Sequence, residues 1–87
     1  MKQIKLSGRE MAILRSIDYA SGSTGTEIME RTQMEGGDIA DVLNGLFDVG
    51  YVETFPIVQA ITHLNFAETR FEINPSYALQ LKEAMKR

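Results

Sequence analysis

The chain has 87 residues, 44% of them hydrophobic and 24% charged, with a formal net charge of −3 and neither cysteine nor tryptophan. That length holds one domain with a single core, and the balance is too apolar for a disordered chain. No stretch approaches the ~20 apolar residues of a membrane span, the start "MKQIKLSGRE" has no signal-peptide core, and the absence of cysteine excludes disulfides and thiolate metal sites; a cytoplasmic protein is expected.

In chain order, Ser7 and Glu10 in "LSGREM" form a capping-box pattern, with Leu6 and Met11 spaced for a hydrophobic staple. The helix that follows is expected from about Gly8 to Ala20, with Ile13, Leu14 and Ile17 inward, and should stop in "SGSTG". Thr24 and Glu27 repeat the capping box for a short second helix, Thr26 to Thr32, that buries Ile28 and Met29. After a turn at "QMEGG", with Met34 as its buried plug, a third helix is expected from about Gly37 to Val49. Ile39, Leu43 and Leu46, with Val42 or Phe47, form its inward stripe, and Gly50 is placed as its left-handed terminator.

The period then changes. "YVETF" reads as a strand ending at Pro56, and "TRFEI" alternates, with Phe71 and Ile73 on one face and Arg70 and Glu72 on the other. Between them, "PIVQAITHLNFAE" supports two conformations. Val58, Ala60, Leu64 and Phe66 suit an alternating strand, whereas Ile57, Ala60, Ile61 and Leu64 suit two turns of helix. The β-branched content favours extended structure, so a long hairpin is expected. Asn74 as N-cap and Pro75 at the first position should open a last helix that buries Ala78, Leu81 and Met85, with Lys82, Lys86 and Arg87 near its negative end.

The order helix–helix–helix–strand–strand–helix, with "DIADVLNGLFDVGYVET" and "RFEINPSYALQLKEAM", resembles the winged-helix superfamily, and within it the MarR, PadR and ArsR-type transcription regulators of prokaryotes. The resemblance covers nearly the whole chain. It implies an α+β fold, a winged helix with a three-helix helix-turn-helix core, a two-stranded β-wing and a C-terminal helix, in a single domain over residues 1–87. It also implies that duplex DNA would be read by the outward face of the third helix, with the wing on phosphates or in the minor groove.

The residues at those positions carry the wrong charge for that task. With Ile39, Leu43 and Leu46 inward, the third helix turns Gly37, Asp38, Asp41, Asn44, Gly45 and Asp48 outward. Groove reading relies on Arg or Lys at guanine and Asn or Gln at adenine, and only Asn44 is of these types. From Asp18 to Glu68 the single Lys or Arg is Arg31. Candidate phosphate contacts are therefore Lys2, Lys5 and Arg9, near the start, and Arg31. Asp38, Asp41, Asn44 and Asp48 form instead a candidate acidic interaction face.

Other chemistry is thin. "SGSTGT" has no lysine at the P-loop position and no strand before it. His63, the one histidine, lacks companions for a zinc site or an oriented base. No catalytic residue, cofactor or metal is expected. The apolar run Ile57, Val58, Ile61, Leu64 and Phe66 exceeds what a short polar wing needs, and a two-stranded wing would leave about half of it uncovered, a docking surface for a homodimer or another protein. The expectation is a non-enzymatic regulator or adaptor acting through protein contacts. The alternative is a regulator that binds duplex DNA through the basic terminal segments of a dimer.

Overall fold

The computed structural model describes residues 4–86; Lys2 and Arg87 lie outside the described residues. Four helices and three strands follow in the order α1 (Gly8–Ser16), β1 (Ser23–Thr24), α2 (Gly25–Thr32), α3 (Gly36–Asp48), β2 (Val52–Phe55), β3 (Arg70–Ile73) and α4 (Ala78–Met85), an α+β fold.

Both capping boxes form. The Ser7 hydroxyl accepts from the Glu10 N–H while the Glu10 carboxylate accepts from the Ser7 N–H, and Thr24 and Glu27 do the same for α2. α1 nevertheless ends at Ser16 and not at Ala20. Asp18 is the reason: its carboxylate accepts the N–H groups of Ala20 at 2.7 Å and Ser21 at 3.1 Å, a local turn that competes with another turn of helix. α3 has two glycines in its first turn and no side-chain cap, so its stability comes from burying Ile39, Ala40, Leu43 and Leu46. It closes with a Schellman motif, in which Tyr51 N–H donates to the Leu46 carbonyl and Gly50 N–H to that of Phe47, both at 3.0 Å, with Gly50 at φ +86.

The sheet is antiparallel and has three strands, in the order β1-β3-β2, where two were expected. The addition is β1, which pairs Ser23 with Phe71 and Thr24 with Arg70. The alternation of β3 holds, since Phe71 and Ile73 are buried with Val52 of β2 while Glu72 is exposed. The β2–β3 register sets Glu53 directly opposite Glu72 and Phe55 opposite Arg70, all four on the face away from the core.

Two further expectations fail. The strands of the hairpin stop at Phe55 and Arg70, so residues 56–69 form neither a long hairpin nor two turns of helix. Side chains there take over the role of a ladder: Asn65 accepts from Thr62 N–H at 2.9 Å and donates to the Ala60 carbonyl at 2.9 Å, and the Thr69 hydroxyl donates to the Asn65 carbonyl at 2.7 Å. Asn74 and Pro75 open a turn and not α4 itself, which begins at Ala78 behind an N-cap position, Tyr77, that makes no side-chain bond. Asn74 accepts from Ser76 N–H at 3.0 Å and donates its amide to the Gly50 carbonyl at 2.7 Å, so it ties the end of α3 to the turn before α4.

The core lies between the three-helix unit and the inner face of the sheet, with Ile13, Leu14, Ile28, Ile39, Leu43, Leu46, Phe71 and Leu81 fully buried.

Candidate interaction surfaces

α3 presents Asp38, Asp41 and Asp48 to solvent, together with Gly37 and Gly45, and Glu35 is exposed just ahead of them. Carboxylates three and seven positions apart share one side of a helix and repel each other modestly. Asn44 departs from its expected role on this face. It is half-buried, and its carbonyl oxygen accepts the Ile61 N–H at 3.0 Å, so it holds the 56–69 loop against α3 and is not free for a partner.

The bases are largely turned to structural use. Arg31 donates from Nη1 to the Ser16 carbonyl at 2.6 Å and the Ser23 hydroxyl at 2.8 Å, joining the end of α2 to the end of α1. Arg15 donates to the Met85 carbonyl at the close of α4, and Arg70 to the Ser21 carbonyl ahead of β1. The Lys82 ammonium sits 4.8 Å from the Tyr19 ring centroid, and Lys86 pairs with Glu83 at 3.1 Å. Of the candidate phosphate contacts, Lys5 and Arg9 are exposed, Arg31 is committed to Ser16 and Ser23, and Lys2 is outside the described residues. The Asp18 carboxyl is held below its usual range by the backbone N–H groups of Ala20 and Ser21, with a smaller contribution from the Arg31 charge.

The apolar run does not form one surface. Ile61 and Phe66 are core residues, 5% and 6% exposed, and Val58 is half-buried, which leaves Ile57 at 91% and Leu64 at 84%. Two glycines make the seat for Phe66: a Cβ on Gly36 would stand 3.1 Å from its ring, and one on Gly25 would overlap its backbone. The same loop serves α2, because the Thr69 carbonyl accepts Gly25 N–H at 3.1 Å and the Ala67 carbonyl accepts Thr26 N–H at 3.2 Å. These are first-turn donors that have no partner within the helix. An interaction surface that includes Ile61 and Phe66 is therefore corrected to the exposed residues alone.

A second apolar feature escaped the reading of the sequence. Phe55, at the end of β2, is 70% exposed. With Phe47 and Ile57 it walls an open cleft of about 530 Å³ that also takes in Glu53 and Glu72. The alternation of "VETF" does put Phe55 on the face of Glu53, but the cleft depends on where Ile57 goes after Pro56, and no local pattern shows that.

Among the described residues no helix is long and apolar enough to cross a membrane, and no group of three or more acids and histidines is placed to hold a metal ion. Comparison with protein-family models, with characterised proteins and with solved structures gave no match.

Proposed function

We propose that the chain is a small non-enzymatic winged-helix domain that acts in the cytoplasm through protein–protein contact, with the acidic side of α3 turned toward a basic partner. The winged-helix assignment is supported by the element order, by the short β1 that joins the β2–β3 hairpin through β3, and by α2 and α3 packed on α1 ahead of that hairpin. The missing cysteines suit a reducing compartment.

One observation carries the functional reading. The outward residues of α3 are acids and glycines, and Arg31, the one Lys or Arg between Asp18 and Glu68, spends its guanidinium on Ser16 and Ser23. A helix that entered the major groove in this state would bring three uncompensated carboxylates against two phosphate strands, where binding depends on cations that displace counterions.

Fluorescence anisotropy with a labelled generic duplex, from low to physiological salt, tests the reading. No binding is expected at the lowest salt. A steep log–log salt dependence would overturn it in favour of a DNA-binding regulator using Lys5 and Arg9. The triple variant Asp38→Lys, Asp41→Lys, Asp48→Lys is the matching gain-of-function control. If α3 is held as a groove-facing helix, the variant acquires salt-sensitive duplex binding. Its failure to do so while still folded would count against the winged-helix assignment.

A further inference from the structure

The acidic side of α3 offers charge with a single exposed apolar residue, Val49 at its C-cap, whereas buried apolar or aromatic anchors supply most of the energy of a protein interface. The cleft beside β2 has both. Phe55 and Ile57 stand out into solvent, Phe47 lines the same cleft, and Glu53 and Glu72 face one another across the strand pair. β2 is also an edge strand, paired with β3 on one side and, among the described residues, with no strand on the other. We infer that this cleft is the docking site for an extended, cationic amphipathic segment of the partner protein, one that alternates Lys or Arg with apolar residues and lies along β2. The inference rests on the proposed basic partner and assigns it a place and a chemistry.

Charge selects the occupant. Neither Glu53 nor Glu72 has an ion-pair partner within 4.0 Å among the described residues, where the Lys86–Glu83 pair is the one such contact. Arg70, the base nearest in sequence, points its guanidinium to the other side of β3, at the Ser21 carbonyl. Like charges directly opposite each other weaken an antiparallel pair, and an incoming cation would relieve that repulsion. A second copy of the chain fits poorly. Two-fold pairing of this edge sets the same patch against itself, bringing four carboxylates together. An acidic segment meets the same repulsion, and a cationic one without apolar side chains leaves Phe55 and Ile57 uncovered. In an extended segment alternate side chains turn to the same side, so apolar residues can fill the cleft while the backbone follows the edge.

The test is an anisotropy titration of the full chain with a fluorescein-labelled octapeptide alternating lysine and leucine, beside glutamate–leucine and lysine–serine controls. The lysine–leucine peptide should bind saturably and the controls at least tenfold more weakly. The double variant Glu53→Gln, Glu72→Gln should bind it about fivefold to tenfold more weakly, the loss expected of two screened ion pairs. Ile57→Ser should weaken it similarly, and both variants should keep the wild-type circular dichroism, since each side chain is exposed. Unchanged affinity in both variants overturns the site. So does a loss confined to Asp38→Asn, Asp41→Asn, Asp48→Asn, which would leave a basic partner in place but seat it on α3. No binding of any peptide overturns the cleft alone, because the duplex titration decides the broader reading separately. A dimer in sedimentation equilibrium that Ile57→Ser dissociates would make a second copy the occupant and overturn the cationic segment.

Discussion

A methyl group added at Gly25 has nowhere to go, because the backbone of Phe66 already occupies the space. Gly25→Ala should therefore cost about 3 kcal/mol in urea unfolding, the upper range for overpacking against groups that cannot swing aside. Gly45 is the internal control. It opens the last turn of α3, exposed, with nothing near its missing Cβ. Gly45→Ala should raise stability by about 0.5–1 kcal/mol, as helix propensity dictates. Asp18 adds a pH signature. Its carboxyl is held below the ordinary 3.8 by two backbone N–H groups, so the folded state favours the ionised form. Its contribution is then fully present above the unfolded value and disappears as pH falls through the lower, folded one. The difference in thermal stability between wild type and Asp18→Ala should be constant above about pH 5 and shrink as the pH is lowered past 3.8, which a series of thermal melts would show.

Helices α1, α2 and α3 were legible because their signals are local: two capping boxes, apolar spacing, and a glycine at the end of α3 that only a left-handed residue explains. What stayed hidden was settled at a distance. β1 is two residues long, too short to show a period, and exists because β3 arrives beside it. Asn74 and Pro75 have the right chemistry for a helix start, but the bond from Asn74 to the Gly50 carbonyl turns them into a separate turn. The 56–69 loop was ambiguous because its apolar residues are placed by Gly25, Gly36 and Asn44, which lie well before it in the chain. The acidic face of α3 was readable from helical spacing except at Asn44, whose partner is a backbone N–H of that loop. Asn44→Ala would leave the Ile61 N–H without its acceptor. It should cost about 1 kcal/mol, typical of one lost hydrogen bond, and hydrogen exchange should quicken at Ile61 before it quickens elsewhere in the loop.

Across the described residues, three of the arginines are consumed internally, Lys5 and Arg9 stay exposed, and most of the acids remain outside. Arg15, Arg31 and Arg70 each donate to a backbone carbonyl, two of them close to the end of a helix. Glu35, Asp38, Asp41, Asp48, Glu53 and Glu72 stay exposed. A modest net charge of −3 therefore understates the negative potential around α3 and the β2–β3 hairpin. Such a surface steers cationic partners, with association rates that fall as salt rises.

The attachment points of the 56–69 loop carry one more consequence. Hydrogen bonds fasten it from Ala60 onward to itself, to α3 and to the start of α2, whereas Gln59 makes none among the described residues and is exposed together with Ala60. The chain thus has a splice point in the first third of its longest connection. Doubling the loop there with a glycine–serine insert between Gln59 and Ala60 adds only about 0.6 kcal/mol of closure entropy and should lower the melting temperature by about 3 °C. The same insert between Ala67 and Glu68 would part Phe66 from the carbonyl that receives Gly25 N–H and should unfold the protein. A reporter or second domain grafted at the first position would ride on an intact scaffold, next to the cleft it could be used to watch.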